Sequence, residues 1–146
     1  MLFAKPKQCD IDLHAGYVMV EGHKIDHTCT DEDFKAWFPH FYHEVKPTAN
    51  LPYYSGPCSV KVGDFEFNRV EFIFGKRDDG SIHFDMLVLH TNVLRGRERK
   101  QFFKIARPYT TRPQVIDTSW GFQMDNGSCL LISRDESPAF ISMLWE

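Results

Sequence analysis

The chain has 146 residues, 42% of them hydrophobic and 14% aromatic, with 25% charged and a formal net charge of -3. That length suits a single domain, which needs neither disulfide nor metal to bury a core. The thirteen Phe, five Tyr and three Trp argue against disorder. A mildly acidic total argues against a dedicated nucleic-acid binder. The start, Met1 to Lys7, lacks the apolar run of a signal peptide, and no stretch approaches a membrane-spanning helix. The expectation is a cytoplasmic protein with no membrane partner. Its four cysteines (Cys9, Cys29, Cys58, Cys129) form no CxxC pair and read as free thiols.

In chain order, Tyr17 to Glu21 and His23 to Ile25 flank Gly22 and predict a hairpin. Thr30 is placed to cap a helix whose first turn carries Asp31, Glu32 and Asp33, three acids at the positive end of the helix dipole. Phe34, Trp37, Phe38 and Phe41 follow the spacing of one buried face, and Pro39 ends or kinks the helix. The stretch from Lys46 to Pro57, with Pro47, Pro52, Gly56 and Pro57, reads as a loop whose Tyr53 and Tyr54 either stand exposed as protein-contact anchors or pack over the edge of the sheet.

From Cys58 to His90 the apolar period becomes two. Strands are expected around Ser59 to Val62 and Phe65 to Phe74, with a turn at Gly63-Asp64. A β-bulge at Asn68-Arg69 would repair a slip in apolar phase. The hairpin loop Lys76 to Ser81 contains Asp78 and Asp79. Ile82, Phe84, Met86 and Val88 then read as the inner face of a central strand that is apolar on both sides. Arg97 to Ala106 reads as a second short helix. Ile116 to Met124 alternates like a strand, Asp125-Asn126-Gly127 signals a hairpin turn, and Leu130, Ile132 and Phe140 to Trp145 complete the sheet. The predicted fold is α+β: a mostly antiparallel, twisted sheet of about eight strands with two or three short helices, in the order ββ-α-βββ-α-βββ. The unit of helix, proline-bearing loop and three-strand meander occurs twice, so duplication and coincidence both fit.

Few residues suggest chemistry. His23, His27 and Cys29 with Asp26, or His40 with His43, would be the metal ligands to consider, but none matches a metal-site spacing. No metal or cofactor is expected. No nucleophile elbow is present. Cys29 lies at a helix start that could lower its pKa, but three acids follow it and oppose that shift. No catalytic residue is assigned and the chain is not expected to be an enzyme, although an enzymatic or small-ligand α+β domain stays open. The first 50 residues hold eight acids and five bases, whereas 95–113 holds seven bases (Arg95, Arg97, Arg99, Lys100, Lys104, Arg107, Arg112) and one acid. With Phe102, Phe103 and Tyr109 interleaved, that segment suits either a solvated helix face or a nucleic-acid contact.

The hairpin from Val18 to Ile25 running into Thr30-Asp31-Glu32-Asp33-Phe34, the meander around Phe65-Glu66-Phe67, and Trp120-Gly121-Phe122 before Leu130-Leu131-Ile132 together resemble small cytosolic immunity proteins. Those proteins neutralise bacterial toxins of contact-dependent inhibition and type VI secretion. The resemblance implies a protein-binding inhibitor with no catalytic machinery, paired with a cognate toxin encoded next to it. An acidic surface drawn from Asp10, Asp12, Glu21, Asp26, Asp31, Glu32 and Asp33 would steer it onto a basic enzyme. The candidate partner-binding residues are Asp31, Glu32, Asp33, Tyr53, Tyr54, Asp78 and Asp79. The basic segment departs from this picture and leaves a mixed-charge interface open.

Overall fold

A computed structural model of the protein describes residues 10–12, 15–47, 50–62, 65–91, 114–116, 119–123, 129–133 and 139–144. They form mostly antiparallel β-sheet with one short helix. Strands β1 (Ile11–Asp12), β2 (Tyr17–Val20) and β3 (His23–Ile25) make a small sheet. The helix α1 (Asp31–Trp37) follows. Then come β4 (Tyr42–Lys46), β5 (Leu51–Val62), β6 (Phe65–Lys76) and β7 (Ile82–Thr91), and later β8 (Gln114–Ile116), β9 (Ser119–Gln123), β10 (Cys129–Ser133) and β11 (Ala139–Leu144). The eight strands β4 to β11 form one sheet in the order β4-β5-β6-β7-β11-β10-β9-β8. Two four-strand meanders thus meet through their last strands, β7 and β11, and every neighbouring pair is antiparallel. The described side chains lie in α1, in the seven strands β1 to β7 of the two sheets and in the residues that flank and connect them, with Met143 of β11.

The opening hairpin forms as expected. Glu21 and Gly22 both have positive φ, 50° and 80°, the two-residue turn that matches strand twist. The start of α1 is a reciprocal capping box. Thr30 Oγ1 accepts from the Asp33 amide at 3.3 Å, and Asp33 Oδ2 accepts from the Thr30 amide at 3.0 Å. The helix stops at Phe38, before Pro39.

Phe34 is fully buried and occupies the centre of the core. Its ring stacks on Phe72 at 4.3 Å and 2°, meets Phe74 and Phe84 edge to face, and lies 5.7 Å from Tyr54. Phe38 and Phe41 extend the cluster over Phe72. The helix therefore covers β5, β6 and β7 with aromatic rings, and each buried ring removes on the order of 150–250 Å² from water. Ile11, Val18, Val20 and Ile25 bring the small sheet into the same core. Its edge is anchored by Asp10, whose amide donates to Lys61 O at 2.8 Å while its carboxylate accepts from the Lys61 amide at 2.7 Å.

Several expectations are corrected. The segment Lys46–Pro57 is not a loop: β4 ends in it and β5 begins in it, with Pro52, Gly56 and Pro57 inside the strand. Proline is tolerated where its missing N–H is not required, and Gly56 is needed because a Cβ there would sit 2.4 Å from the Phe41 ring. Each meander consequently has four strands rather than three. The apolar phase does slip between the buried Phe67 and Val70, but the extra residue is on β5, where the register jumps from Pro57 to Val60 opposite β6.

A second slip was missed. The β6–β7 register shifts between Ile73 and Phe74, leaving Asp85 as an extra residue in β7. The inner face of β7 is therefore Phe84, Leu87 and Leu89, while Ile82 is 38% exposed and Met86 and Val88 lie on the other side. Gly75 makes room for this bulge, since a Cβ would fall 1.7 Å from Asp85 Oδ2. The alternation read across Ile116 to Met124 is also broken: Ile116 pairs with Ser119 and Val115 with Trp120, so two strands are present instead of one. The expected helix Arg97 to Ala106 and the turns at Gly63-Asp64 and Asp125-Asn126-Gly127 lie outside the described residues. Residues 139–144 form an interior strand between β7 and β10.

Replacing Phe34 by Ala should cost about 3–5 kcal/mol, the usual range for a buried ring that leaves a cavity. Urea denaturation measures this, and a loss below about 1 kcal/mol would mean that Phe34 is not the centre of the core.

Candidate functional site

A cleft of about 470 Å³ opens between the start of α1 and the base of the β6–β7 hairpin. One wall is the turn entering the helix, His27 to Glu32. The other is Ile82, His83 and Phe84 of β7, and Phe74 and Pro52 complete the lining. The volume falls within the range of small-molecule pockets. Its lining is apolar from Phe74, Phe84, Ile82 and Pro52, and one lip carries Asp31 and Glu32. On the other lip, Ser81 Oγ lies 2.9 Å from His83 Nε2 and donates at 2.5 Å to Asp79. Asp31 and Glu32 therefore line the opening, Asp79 reaches it only through Ser81 and His83, and Asp78 is not among the lining residues.

These acids divide into engaged and uncommitted groups. Asp31 accepts a hydrogen bond from the Tyr54 hydroxyl and pairs with Lys35 at 3.0 Å, one helical turn on. Asp33 serves the capping box. Asp79 accepts from both the amide and the hydroxyl of Ser81, which holds its carboxyl below the usual range. Glu32 and Asp78 are exposed and make no hydrogen bond or ion pair among the described residues. Those two carboxylates remain available to a partner.

Tyr54 is 1% exposed and belongs to the core, so it is not a surface anchor. Burial first, and then the bond to Asp31 and its charge, push its hydroxyl pKa well up. Tyr53 is half-buried on the opposite face of the sheet, away from the cleft. It donates to Glu71, whose other oxygen lies 2.5 Å from His90 Nε2. Burial raises the Glu71 carboxyl, but the bonds from Tyr53 and His90 and the charges of His90 and Arg69 outweigh it and hold the group below its usual range. Because an ionised carboxylate only accepts, Nε2 of His90 carries the proton in this contact. The trio ties β5, β6 and β7 together on the outer face.

The histidines are largely aromatic packing partners. His23 stacks on Trp37 at 4.8 Å, His43 stacks on Tyr54 at 4.5 Å, and His40 meets Glu21 at 3.1 Å. Among the described residues no group of three His, Cys, Asp or Glu side chains could hold a metal. Cys29 is buried, donates weakly to Lys24 O at 3.5 Å and has its pKa raised. Burial is the largest cause, reinforced by the charges of Asp26 and Asp33, so the helix start does not activate this thiol. Burial pushes Cys58 up to about 12. Both thiols are free. The basic residues Arg95, Arg97, Arg99, Lys100, Lys104 and Arg107 lie outside the described residues. Among those that are described, no helix is long and apolar enough to cross a membrane.

Ile82 and His83 were missed as site residues. Their signal was an isolated apolar side chain directly after a polar hairpin loop. In the sequence His27 stands out only as a metal ligand, and Cys29 as a metal ligand or a thiol at a helix start. The Glu71–His90 pair could have been found from alternation, which puts both on the outward face of adjacent strands. Comparison with known proteins finds no matching family model, no matching curated protein and no matching solved structure.

The lowered Glu71 pKa sets a pH dependence. A carboxyl depressed in the fold adds stability above its unfolded value, here near 4.5, and that stability is lost as pH falls through the lower folded value. Urea unfolding followed from pH 7 to pH 3 should therefore show a steeper acid loss for the wild type than for Glu71→Gln. Equal slopes would contradict the assignment.

Proposed function

We propose that the protein is a protein-binding inhibitor, an immunity protein that neutralises a cognate bacterial toxin by direct contact in the cytoplasm. The observation that carries this reading is the apolar-lined cleft with Asp31 and Glu32 on one lip and His83, linked through Ser81 to Asp79, on the other. A lysine or arginine of a basic partner would lay its aliphatic stem against Phe74, Ile82 and Phe84 and its charge beside Glu32. A buried anchor ringed by complementary charge is the arrangement that concentrates binding energy and speeds encounter. The scaffold suits this task. Asp31 on the lip is held by the Tyr54 hydroxyl and Lys35, and Asp79 behind His83 by Ser81, so little is lost on ordering these acids. In this reading the protein has no catalytic residue and needs no cofactor, and its partner is encoded beside it.

The test is co-expression with the product of the neighbouring toxin gene. Wild type should restore growth and bind that product one to one. Glu32→Lys combined with Asp78→Lys alters only exposed, uncommitted carboxylates and should leave thermal unfolding unchanged. It should weaken binding at least about tenfold, the effect of about 1.4 kcal/mol. No binding by the wild type would refute the function, and undiminished binding by the double variant would refute the site.

A further inference from the structure

Strand β4 forms one edge of the eight-stranded sheet. Edge strands leave a row of backbone amides and carbonyls unpaired, and proteins blunt them or use them. Two of the three exposed large hydrophobic residues found among the described residues lie on this strand: Tyr42 at 60% and Val45 at 48%. An edge presenting apolar side chains on both faces is suited to taking another strand.

The backbone specifies which β4 groups are available. Val45 is in register with Pro52 of β5. Proline has no N–H, so this pair satisfies the ladder only as a non-hydrogen-bonded pair. The amides and carbonyls of His43 and Val45 then point away from β5, towards the open edge. Those of Tyr42, Glu44 and Lys46 point inward to Ser55, Tyr53 and Leu51.

The side chains select the occupant. Let a second copy of β4 pair antiparallel across a two-fold axis through Val45. Val45 then meets Val45 of the second copy, with reciprocal N–H to C=O bonds between them. Glu44 stands opposite Lys46 of the second copy, and Lys46 opposite its Glu44. His43 faces Pro47, whose carbonyl can accept the His43 amide. Opposite charges directly across a strand pair are favourable, and the like-charged alternative, Glu44 against Glu44, is avoided in this register. The five-residue sequence is thus self-complementary in charge and in hydrogen bonding about one residue. Tyr42, which donates to Glu44 at 3.0 Å, and Lys46, 5.4 Å above the Tyr53 ring, already hold the charged side chains on the outer face.

We infer that the protein self-associates through β4, forming a two-fold dimer whose two eight-stranded sheets join into one. So short a strand pair buries less than the roughly 1,200 Å² of stable interfaces, so the dimer is weak and forms at high protein concentration. Pro52, in register with Val45, also lines the cleft, so the paired edge borders it, but the proposal rests on the β4 backbone and charges and not on the cleft.

Sedimentation equilibrium over a concentration series tests it. The apparent mass should rise from 17.1 kDa towards twice that value as concentration approaches the millimolar range. Glu44→Lys should weaken association at least tenfold, and adding Lys46→Glu to it should restore association, because the exchanged charges again face each other. Val45→Pro deletes an outward amide without touching the β5 ladder, so it should give a folded monomer. A mass fixed at 17.1 kDa up to 1 mM overturns the proposal. Undiminished association of Glu44→Lys, or failure of the charge exchange to restore it, equally overturns the pairing.

Discussion

The packing of Phe34 on Phe72 is the interaction on which the rest of the structure depends. It fixes a seven-residue helix, too short to be stable alone, at one position over the sheet. That position aligns Asp31 with the Tyr54 hydroxyl, brings Trp37 against His23 of the small sheet, and sets the helix start beside β7 to form the cleft. The capping box decides where the helix begins. The ring stack decides where it sits.

What the sequence revealed of this architecture follows from how local each signal is. The hairpin at Glu21-Gly22, the Thr30 cap and the Phe34–Phe38 face each depend on neighbours within four residues, and each formed as expected. β4 and the start of β5 did not, because Pro52 and Gly56 usually mark loops. Their tolerance here depends on distant facts: an edge partner that needs no amide from Pro52, and a Phe41 ring lying over Gly56. The inner face of β7 was misread because one extra residue, Asp85, inverts the alternation, and its accommodation depends on Gly75 ten residues earlier. The two-meander sheet agrees with the expected antiparallel α+β class. The pairing of β7 with β11, which joins the halves, has no local signature.

The candidate site was only half visible for the same reason. The acids Asp31 to Asp33 and Asp78-Asp79 are evident as clusters in the sequence, but nothing local shows that Asp31 and Glu32 line a cleft facing His83 while Asp78 stays outside its lining. The structure also separates what composition merges. Asp31, Asp33 and Asp79 have structural work as hydrogen-bond acceptors, and Glu32 and Asp78 are left to outside partners. Tyr54, grouped by sequence with Tyr53, supports the helix from beneath, while Tyr53 works on the far face with Glu71 and His90. A rigid acidic rim over an aromatic floor is the physical basis for proposing a protein inhibitor.

The most direct measurement is hydrogen–deuterium exchange on the protein alone and bound to the cognate toxin that the proposed function requires. The account expects new protection at residues 27–32 and 78–84, the two walls of the cleft and the hairpin beside it. Protection confined to other segments, with both walls unchanged, would contradict it.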